Sequence, residues 1–573
     1  MTGTVGKSRG TARPGRGAVA HVDRSTTDPE WWRGAVIYQI YPRSFQDTSG
    51  DGVGDLKGIT ERLGHVAALG VDAIWISPFF RSPMHDFGYD VSDYRDVDPM
   101  FGLLRDFDDL VAEAHALGLK VMIDLVMSHT SISHPWFAQS RKDRANERAD
   151  WYVWADPKPD GGPPNNWLSI FGGPAWKWDA ARCQYYLHNF LDEQPDLNFH
   201  NPAVRAEMLD VARFWLERGV DGFRLDVVNF YFHSAGLENN PPLAREYRNA
   251  SIAPAVNPYN HQFHLYDKNR PENLAFLEEM RALMDEYGAA AVGEVGDAQN
   301  GLAIAAEYTS GRRIHMAYAF EFLAERFGAD HVRRTLRLHA DASPDAWACW
   351  AFSNHDVPRV ASRWGGHAID RRRFATFLMG LLLSLRGSVC LYQGEEMGWP
   401  EASLDFDDIV DPYGRVFWPE FKGRDGCRTP MAWEGGRHGG FSTGGETWLP
   451  VSPDHRRDPV AAQEGRADSV LEATRALLAF RAAHPALRSG ACEVVAGHGG
   501  TDMLVLVRGE GADRILCAFN FGPDDLAVTL PTDMRVEPLT GHGFTGTCAN
   551  NELRVPAQDA FFARLPRWGA AKG

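Results

Sequence analysis

Arg224 and Asp226 stand two positions apart in the run Gly-Phe-Arg-Leu-Asp-Val-Val-Asn (Gly222–Asn229). The run reads as a strand. Side chains alternate along a strand, so the cation and the carboxylate share one face. A guanidinium beside a carboxylate favours its ionised form, which a carboxylate nucleophile requires. Glu294, in Val-Gly-Glu-Val, and Asp356, in Phe-Ser-Asn-His-Asp, end two further strand-like runs. Val292, Gly293 and Val295 give Glu294 an apolar setting that suits a proton donor. An ionised acid and a proton-donating acid on separate strand ends are what two-step cleavage of a glycosidic bond needs.

A scaffold must bring these strand ends together. Short runs rich in Val, Ile and aromatics recur at 35–41, 73–78, 120–127, 222–229, 290–295, 315–320, 347–352 and 388–393. Helix-patterned stretches separate several of them, at 107–117, 203–218 and 371–385. Eight buried strands alternating with helices predict an α/β fold closed as a (β/α)8 TIM barrel over 29–128 and 202–484. Barrels of this kind carry their chemistry at the carboxyl ends of the strands, where Arg224, Asp226, Glu294, His355 and Asp356 all fall. The segment 129–201 is too long for a crossover and rich in Trp, Pro, Gly and Asp, so it reads as a small inserted domain after the third strand. A second loop-rich excursion spans 399–450, and a last helix covers about 470–483. From 485 to 573 the texture changes to short alternating strands at 503–508, 514–519, 526–530 and 560–565, which predicts a C-terminal antiparallel β-sandwich.

Composition narrows the partners. The net charge of −17 argues against nucleic acid. No apolar run reaches the roughly 20 residues of a membrane helix. Eighteen Trp suit stacking on the apolar faces of sugars, although core packing accounts for most of them. Seven scattered Cys without Cys-x-x-Cys spacing read as reduced thiols of a cytoplasmic protein. Residues 1–28, rich in Gly, Arg and Thr, read as a disordered tail without a signal-peptide core. Oligomeric state is not legible.

The strings Asp-Leu-Val-Met-Ser-His (Asp124–His129), Gly-Phe-Arg-Leu-Asp (Gly222–Asp226), Glu294 and Ser-Asn-His-Asp (Ser353–Asp356) resemble the ordered motifs of the α-amylase family, glycoside hydrolase family 13. Phe-Gly-Tyr-Asp (Phe87–Asp90), Gln-Pro-Asp-Leu-Asn (Gln194–Asn198) and Gly-Arg-Asp-Gly-Cys-Arg-Thr-Pro-Met (Gly423–Met431) extend the match. Within that family the chain resembles bacterial α-glucosidases of the Xanthomonas and Halomonas type, from about Trp31 into the C-terminal sandwich. The resemblance implies a retaining exo-α-glucosidase that takes maltose and short α-glucosides and can transfer glucose to an acceptor alcohol. It implies Asp226 as nucleophile, Glu294 as general acid/base and Asp356 as stabiliser of the oxocarbenium-like transition state. His129 and His355 would bond sugar hydroxyls. Asp86, Tyr89 and Arg424 would grip the terminal glucose, with Arg428 the competing arginine.

The loop Asp47-Thr-Ser-Gly-Asp-Gly-Val-Gly-Asp55 places oxygens at alternate positions between glycines, a pattern that suits Ca2+ or Mg2+. It is not an EF-hand, since Gly58 holds the twelfth position. By resemblance, Asp47, Asp51, the Val53 carbonyl and Asp55 would hold a structural ion, with Ser49 where Asn is usual; no organic cofactor is implied. The alternative is a purely structural turn.

Two departures bear on linkage. Ser128 replaces the usual Asn before His129, as in the Xanthomonas-type branch. Val227 resembles enzymes that accept α-1,6 bonds, whereas Asn229–His233 resembles the branch that prefers α-1,4. The reading adopted is α-1,4. The alternatives are an oligo-1,6-glucosidase, a sucrose hydrolase or isomerase, and, from another class, a non-catalytic sugar-binding barrel, which would be expected to have lost one of the three acids.

Overall fold

The computed structural model describes residues 28–495, 502–532 and 534–566, so the expected N-terminal tail lies almost wholly outside them. Eight parallel strands form one sheet: β1 (Val36–Ile40), β2 (Ala73–Ile76), β3 (Lys120–Leu125), β4 (Gly222–Leu225), β5 (Ala290–Val295), β6 (Met316–Ala319), β7 (Cys349–Ala351) and β8 (Ser388–Tyr392). β1 pairs with both β2 and β8, and the Ala317–Ala348 bridge joins β6 to the start of β7, so the sheet closes in chain order. This is the expected α/β barrel.

Strand periodicity both builds the barrel and arms it. Ile37, Met122, Val292, Met316, Cys349 and Cys390 fill the interior, while Val36, Tyr38, Val121, Ile123, Leu125 and Phe223 face the helices. Continued two residues at a time toward the carboxyl ends, the inward phase reaches Asp124 on β3, Arg224 on β4 and Asp226 just past its end, Glu294 on β5 and Tyr318 on β6. Gly293 lets β5 pass close to its neighbours. A Cβ there would stand 2.6 Å from Ile314 Cδ1 and 2.9 Å from Val228 Cγ1.

The segment 129–201 carries a small antiparallel sheet (Trp154–Ala155, Gln184–Leu187, Trp176–Asp179). Beyond the helix Val470–Ala483, two antiparallel sheets follow. Val505, Val507, Leu516 and Phe561 of the larger and Val528, Leu553 and Val555 of the smaller share one apolar cluster, as a sandwich requires. No disulfide joins the seven cysteines; Cys349, Cys390, Cys427 and Cys517 are buried and Cys183 is exposed. No helix among the described residues is long and apolar enough to cross a membrane.

Candidate active site

The mouth of the barrel holds a cavity of about 310 Å³. Asp226, Glu294 and Asp356 line it, with Asp86, Tyr89, His129 and Arg424. Phe171 and Phe190 of the inserted segment add apolar wall, as do Phe230 and Ile252 of the loop after β4.

One guanidinium organises the acids. Arg224 Nη1 lies 2.8 Å from Asp124 Oδ1 and 2.5 Å from Asp226 Oδ1, and Nη2 lies 2.6 Å from Glu294 Oε2. The Tyr318 hydroxyl accepts from Arg224 Nη2 at 3.0 Å and donates to Glu294 Oε1 at 2.9 Å. The Val227 N–H donates to Glu294 Oε2 at 3.2 Å. Glu294 therefore sits among three polar donors, which corrects the apolar setting expected from its sequence neighbours. Val292 shares its inward phase but lies a layer deeper in the barrel.

The charge balance at Asp226 also differs from expectation. Burial raises the Asp226 carboxyl well above the usual range; Arg224 opposes this, while Glu294 and Asp124 reinforce it. Asp124 is likewise pushed up to about 6 by burial against the pull of Arg224. The one guanidinium of Arg224 opposes burial at both Asp124 and Asp226. Asp356 behaves oppositely. Burial pushes it up, but His355 and the guanidinium groups of Arg428 and Arg424 outweigh this and hold it well below the usual carboxylate range.

The far end of the cavity is closed by an ion-paired cluster. Arg424 Nη2 lies 2.8 Å from Asp86 Oδ1 and 2.8 Å from Asp411 Oδ1, and Nη1 lies 3.4 Å from Asp356 Oδ1. Arg428, the competing arginine, lies 2.9 Å from the same Asp356 oxygen and donates to the His355 carbonyl. Both arginines thus serve Asp356, and Arg424 alone reaches Asp86. Burial leaves Asp86 with a carboxyl pushed up to about 6. Gln194 of the inserted segment donates to Asp86 Oδ2 at 3.2 Å.

Arg224 and His355 do not line the cavity. His355 is fully buried, stacked on Tyr89 and Tyr41, with Nε2 2.5 Å from the Tyr89 hydroxyl and Nδ1 2.7 Å from Gln39 Nε2. It fixes Tyr89 instead of presenting a free nitrogen. His129 does reach the wall, with Nε2 3.1 Å from the Tyr89 carbonyl, and burial lowers its pKa to about 4, so it is neutral. Sequence reasoning missed Asp411 and Tyr318. Asp411-Pro412 carries a helix N-cap signature, and the Asp411 side chain accepts from the Tyr413 N–H as a cap should. Tyr318 lies within a run recognised as a strand, directly opposite Glu294 in the β5–β6 register.

The Asp47–Asp55 loop lies apart from these acids and is closed by protein donors. Asp47 Oδ1 accepts from Ser49 Oγ and the Gly50 N–H, and Oδ2 from the Gly52 N–H and Ser442 Oγ. Asp51 accepts from the Val53 N–H. Asp55 takes Thr48 and caps the helix Leu56–Leu69 through the Gly58 N–H. Among the described residues no three His, Cys, Asp or Glu side chains converge as a metal centre would need. The oxygens of Asp47, Ser49, Asp51, Asp55 and the Val53 carbonyl are of the kind that would hold a hard cation, and those of Asp47 are taken by protein donors in this structure.

Three carboxylates lining a cavity at the carboxyl end of a barrel invite comparison with known proteins. The model of the α-amylase catalytic domain matches residues 39–490. A probable α-glucosidase of Rhizobium meliloti (strain 1021) is 62% identical over 541 residues, covering 94% of this chain and 98% of its own. An oligo-1,6-glucosidase of Heyndrickxia coagulans is 36% identical, covering 90% of this chain and 97% of its own. The crystal structure of the α-glucosyl transfer enzyme XgtA superposes with a TM-score of 0.90 at 53% identity, covering 93% of this chain and 99% of that one. With its acids intact on the fold those relatives share, the chain belongs to the α-amylase family and is a glycoside hydrolase of α-glucosidase type.

Proposed function

We propose that the chain is a retaining exo-α-glucosidase, acting in the cytoplasm, that removes terminal non-reducing α-1,4-linked glucose from maltose and short α-glucosides. The observation that carries this reading is the cavity that the Asp86–Arg424 pair closes at one end and the three acids line. A pocket with a closed end accepts a chain terminus and excludes a chain interior. Asp86 and Arg424 offer acceptors and forked donors to the hydroxyls of that terminal ring.

An Asp226 oxygen attacks the anomeric carbon as the bond to the leaving oxygen breaks, and Glu294 gives that oxygen its proton. The product is a glucosyl ester on Asp226. Water then attacks the same carbon, Glu294 takes its proton, and Asp226 leaves as a carboxylate. Two inversions retain the configuration. Asp226 and Glu294 sharing one guanidinium suits the roughly 5–5.5 Å separation of retaining sites. The first step needs Asp226 ionised and a proton on Glu294. Asp356, held ionised by its arginines, faces the positive charge that develops on the ring. An alcohol in place of water would accept the glucosyl group, and the apolar wall of Phe230, Ile252 and Val227 would favour acceptors with apolar faces.

The test is glucose release from maltose, isomaltose and sucrose, with Asp226→Asn as control and the first anomer formed read by NMR. Maltose as the preferred substrate, α-glucose as first product and loss of at least ~10⁴-fold in the variant support the proposal. β-Glucose as first product would overturn retention. A second reading, α-1,6 preference, rests on Val227 in the cavity wall next to the nucleophile, and faster turnover of isomaltose would favour it.

A further inference from the structure

The segments that leave β4 and β5 beside the reacting acids are tied together just behind the cavity. Asn229 follows Asp226 on the loop after β4, and Gly296 follows Glu294 at the end of β5. Asn229 Oδ1 accepts from the Gly296 N–H at 3.0 Å, and Asn229 Nδ2 donates to the Gly296 carbonyl at 3.2 Å. The side-chain amide thus reads both polar groups of one residue. Lys268 Nζ donates to the same carbonyl at 2.8 Å and lies 3.7 Å from Asp297 Oδ2. Asn269 completes the tie. Its N–H donates to the Asn229 carbonyl at 2.8 Å, its Oδ1 accepts from Asn229 Nδ2 at 2.7 Å, and its Nδ2 donates to Asp297 Oδ2 at 2.7 Å.

Asn229 and Lys268 are each 1% exposed, and neither lines the cavity. Filling space does not explain a lysine there. A buried ammonium is costly unless paired, and an apolar side chain would pack against Phe230 and Tyr259 without that cost. What the lysine and asparagine do, and an apolar residue cannot, is hold the Gly296 backbone at a fixed distance from the Asp226 loop. Burial works against the Asp297 charge, but Lys268 and the N–H groups of Asn300 and Gln299 outweigh it, so the partner of the lysine stays ionised.

Resting on the glycosidase reading above, we propose that Asn229 and Lys268 are positioning residues: a staple between the two segments that sets the reach of Glu294 to the leaving oxygen held against Asp226. General acid catalysis depends on that reach, because the donor must lie within hydrogen-bond distance of the oxygen it protonates. The demand scales with the leaving group. A departing sugar alcohol needs its proton, whereas a nitrophenolate departs without one.

The experiment compares kcat/KM for maltose and 2,4-dinitrophenyl α-glucoside in wild type, Asn229→Ala and Lys268→Met, with thermal midpoints recorded beside them. The staple predicts a roughly 10- to 100-fold loss on maltose, part of the about 10²–10⁴ that a general acid contributes, and little loss on the dinitrophenyl substrate. Equal losses on both substrates, or none, would overturn it, since a merely structural tie lowers both alike. Should Asn229→Ala fail to fold, Lys268→Met, which keeps the packing, decides alone. A wild type that turns over neither substrate sinks the glycosidase reading itself, and the staple with it.

Discussion

Arg424 and Asp86, 338 residues apart in the chain, meet at 2.8 Å across the closed end of the cavity. The same guanidinium also satisfies Asp411 and approaches Asp356, so it ties three carboxylates at one point. Lysine is a single point charge and cannot face all three. Arg424→Lys is expected to lower kcat/KM for maltose by about 10²–10³, mostly through KM, because one buried carboxylate loses its partner. Steady-state kinetics and glucose inhibition check this, and a variant with unchanged KM would remove Arg424 from substrate binding.

Tyr318→Phe removes the hydroxyl that links Arg224 to Glu294 and preserves the ring. The fold should persist. An expected loss of roughly 10- to 100-fold in kcat with KM nearly unchanged would mark a group that serves the reacting acid. A loss confined to KM would place the tyrosine in binding instead.

Stability should peak near pH 6 to 7. Burial lowers the pKa of His129 and His339 to about 4 and that of His134, His233 and His455 to about 3. Below about pH 6.5 the unfolded chain therefore takes up protons that the folded one refuses, and acid destabilises. Burial raises Glu395 to about 8 and Glu401 to about 7. Above about pH 4.5 those groups keep protons that the unfolded chain gives up, so their stabilisation declines from there and is gone above about pH 7 and 8, opposing the histidines below pH 6.5 and acting alone above it. Thermal melts across pH 4.5–8.5 should trace a dome, and a midpoint that climbs steadily to pH 8.5 would contradict it.

Gly293→Ala puts a methyl group into Ile314 and Val228 beside the acid/base. A cost of about 1–3 kcal/mol is expected, with activity reduced because β5 must shift. Urea unfolding measures the first and maltose turnover the second.

With Asp47 bonded to four protein donors, chelation is expected to leave the thermal midpoint unchanged. A rise on adding Ca2+ that EDTA reverses would show that the loop opens to take an ion.

The barrel was legible because its strands are buried on both faces and written as compact apolar runs; β5 spans 290–295 as read, and β1 to β4 end one to four residues short of the runs read for them. The three acids were legible because they end such runs. The charge balance among them was not. Arg224 and Asp226 are visible neighbours in sequence, but Asp124 comes opposite Arg224 only through the β3–β4 register, and Glu294 reaches it only across β5. A reading of one strand saw a cation and its carboxylate, where the folded chain has one cation and three. Asp411 escaped for a related reason. It lies in an irregular excursion with no periodicity to point it inward, and only its helix-capping role has a local signature.

The Asp86–Arg424 seal has a kinetic corollary. On the proposed exo-action, a pocket sealed at that end imposes an order on departures: the aglycone leaves first, and glucose, bound deepest, leaves last. Glucose should then compete with substrate for the empty enzyme. The entering water or acceptor alcohol must wait at the same threshold until the aglycone has cleared it.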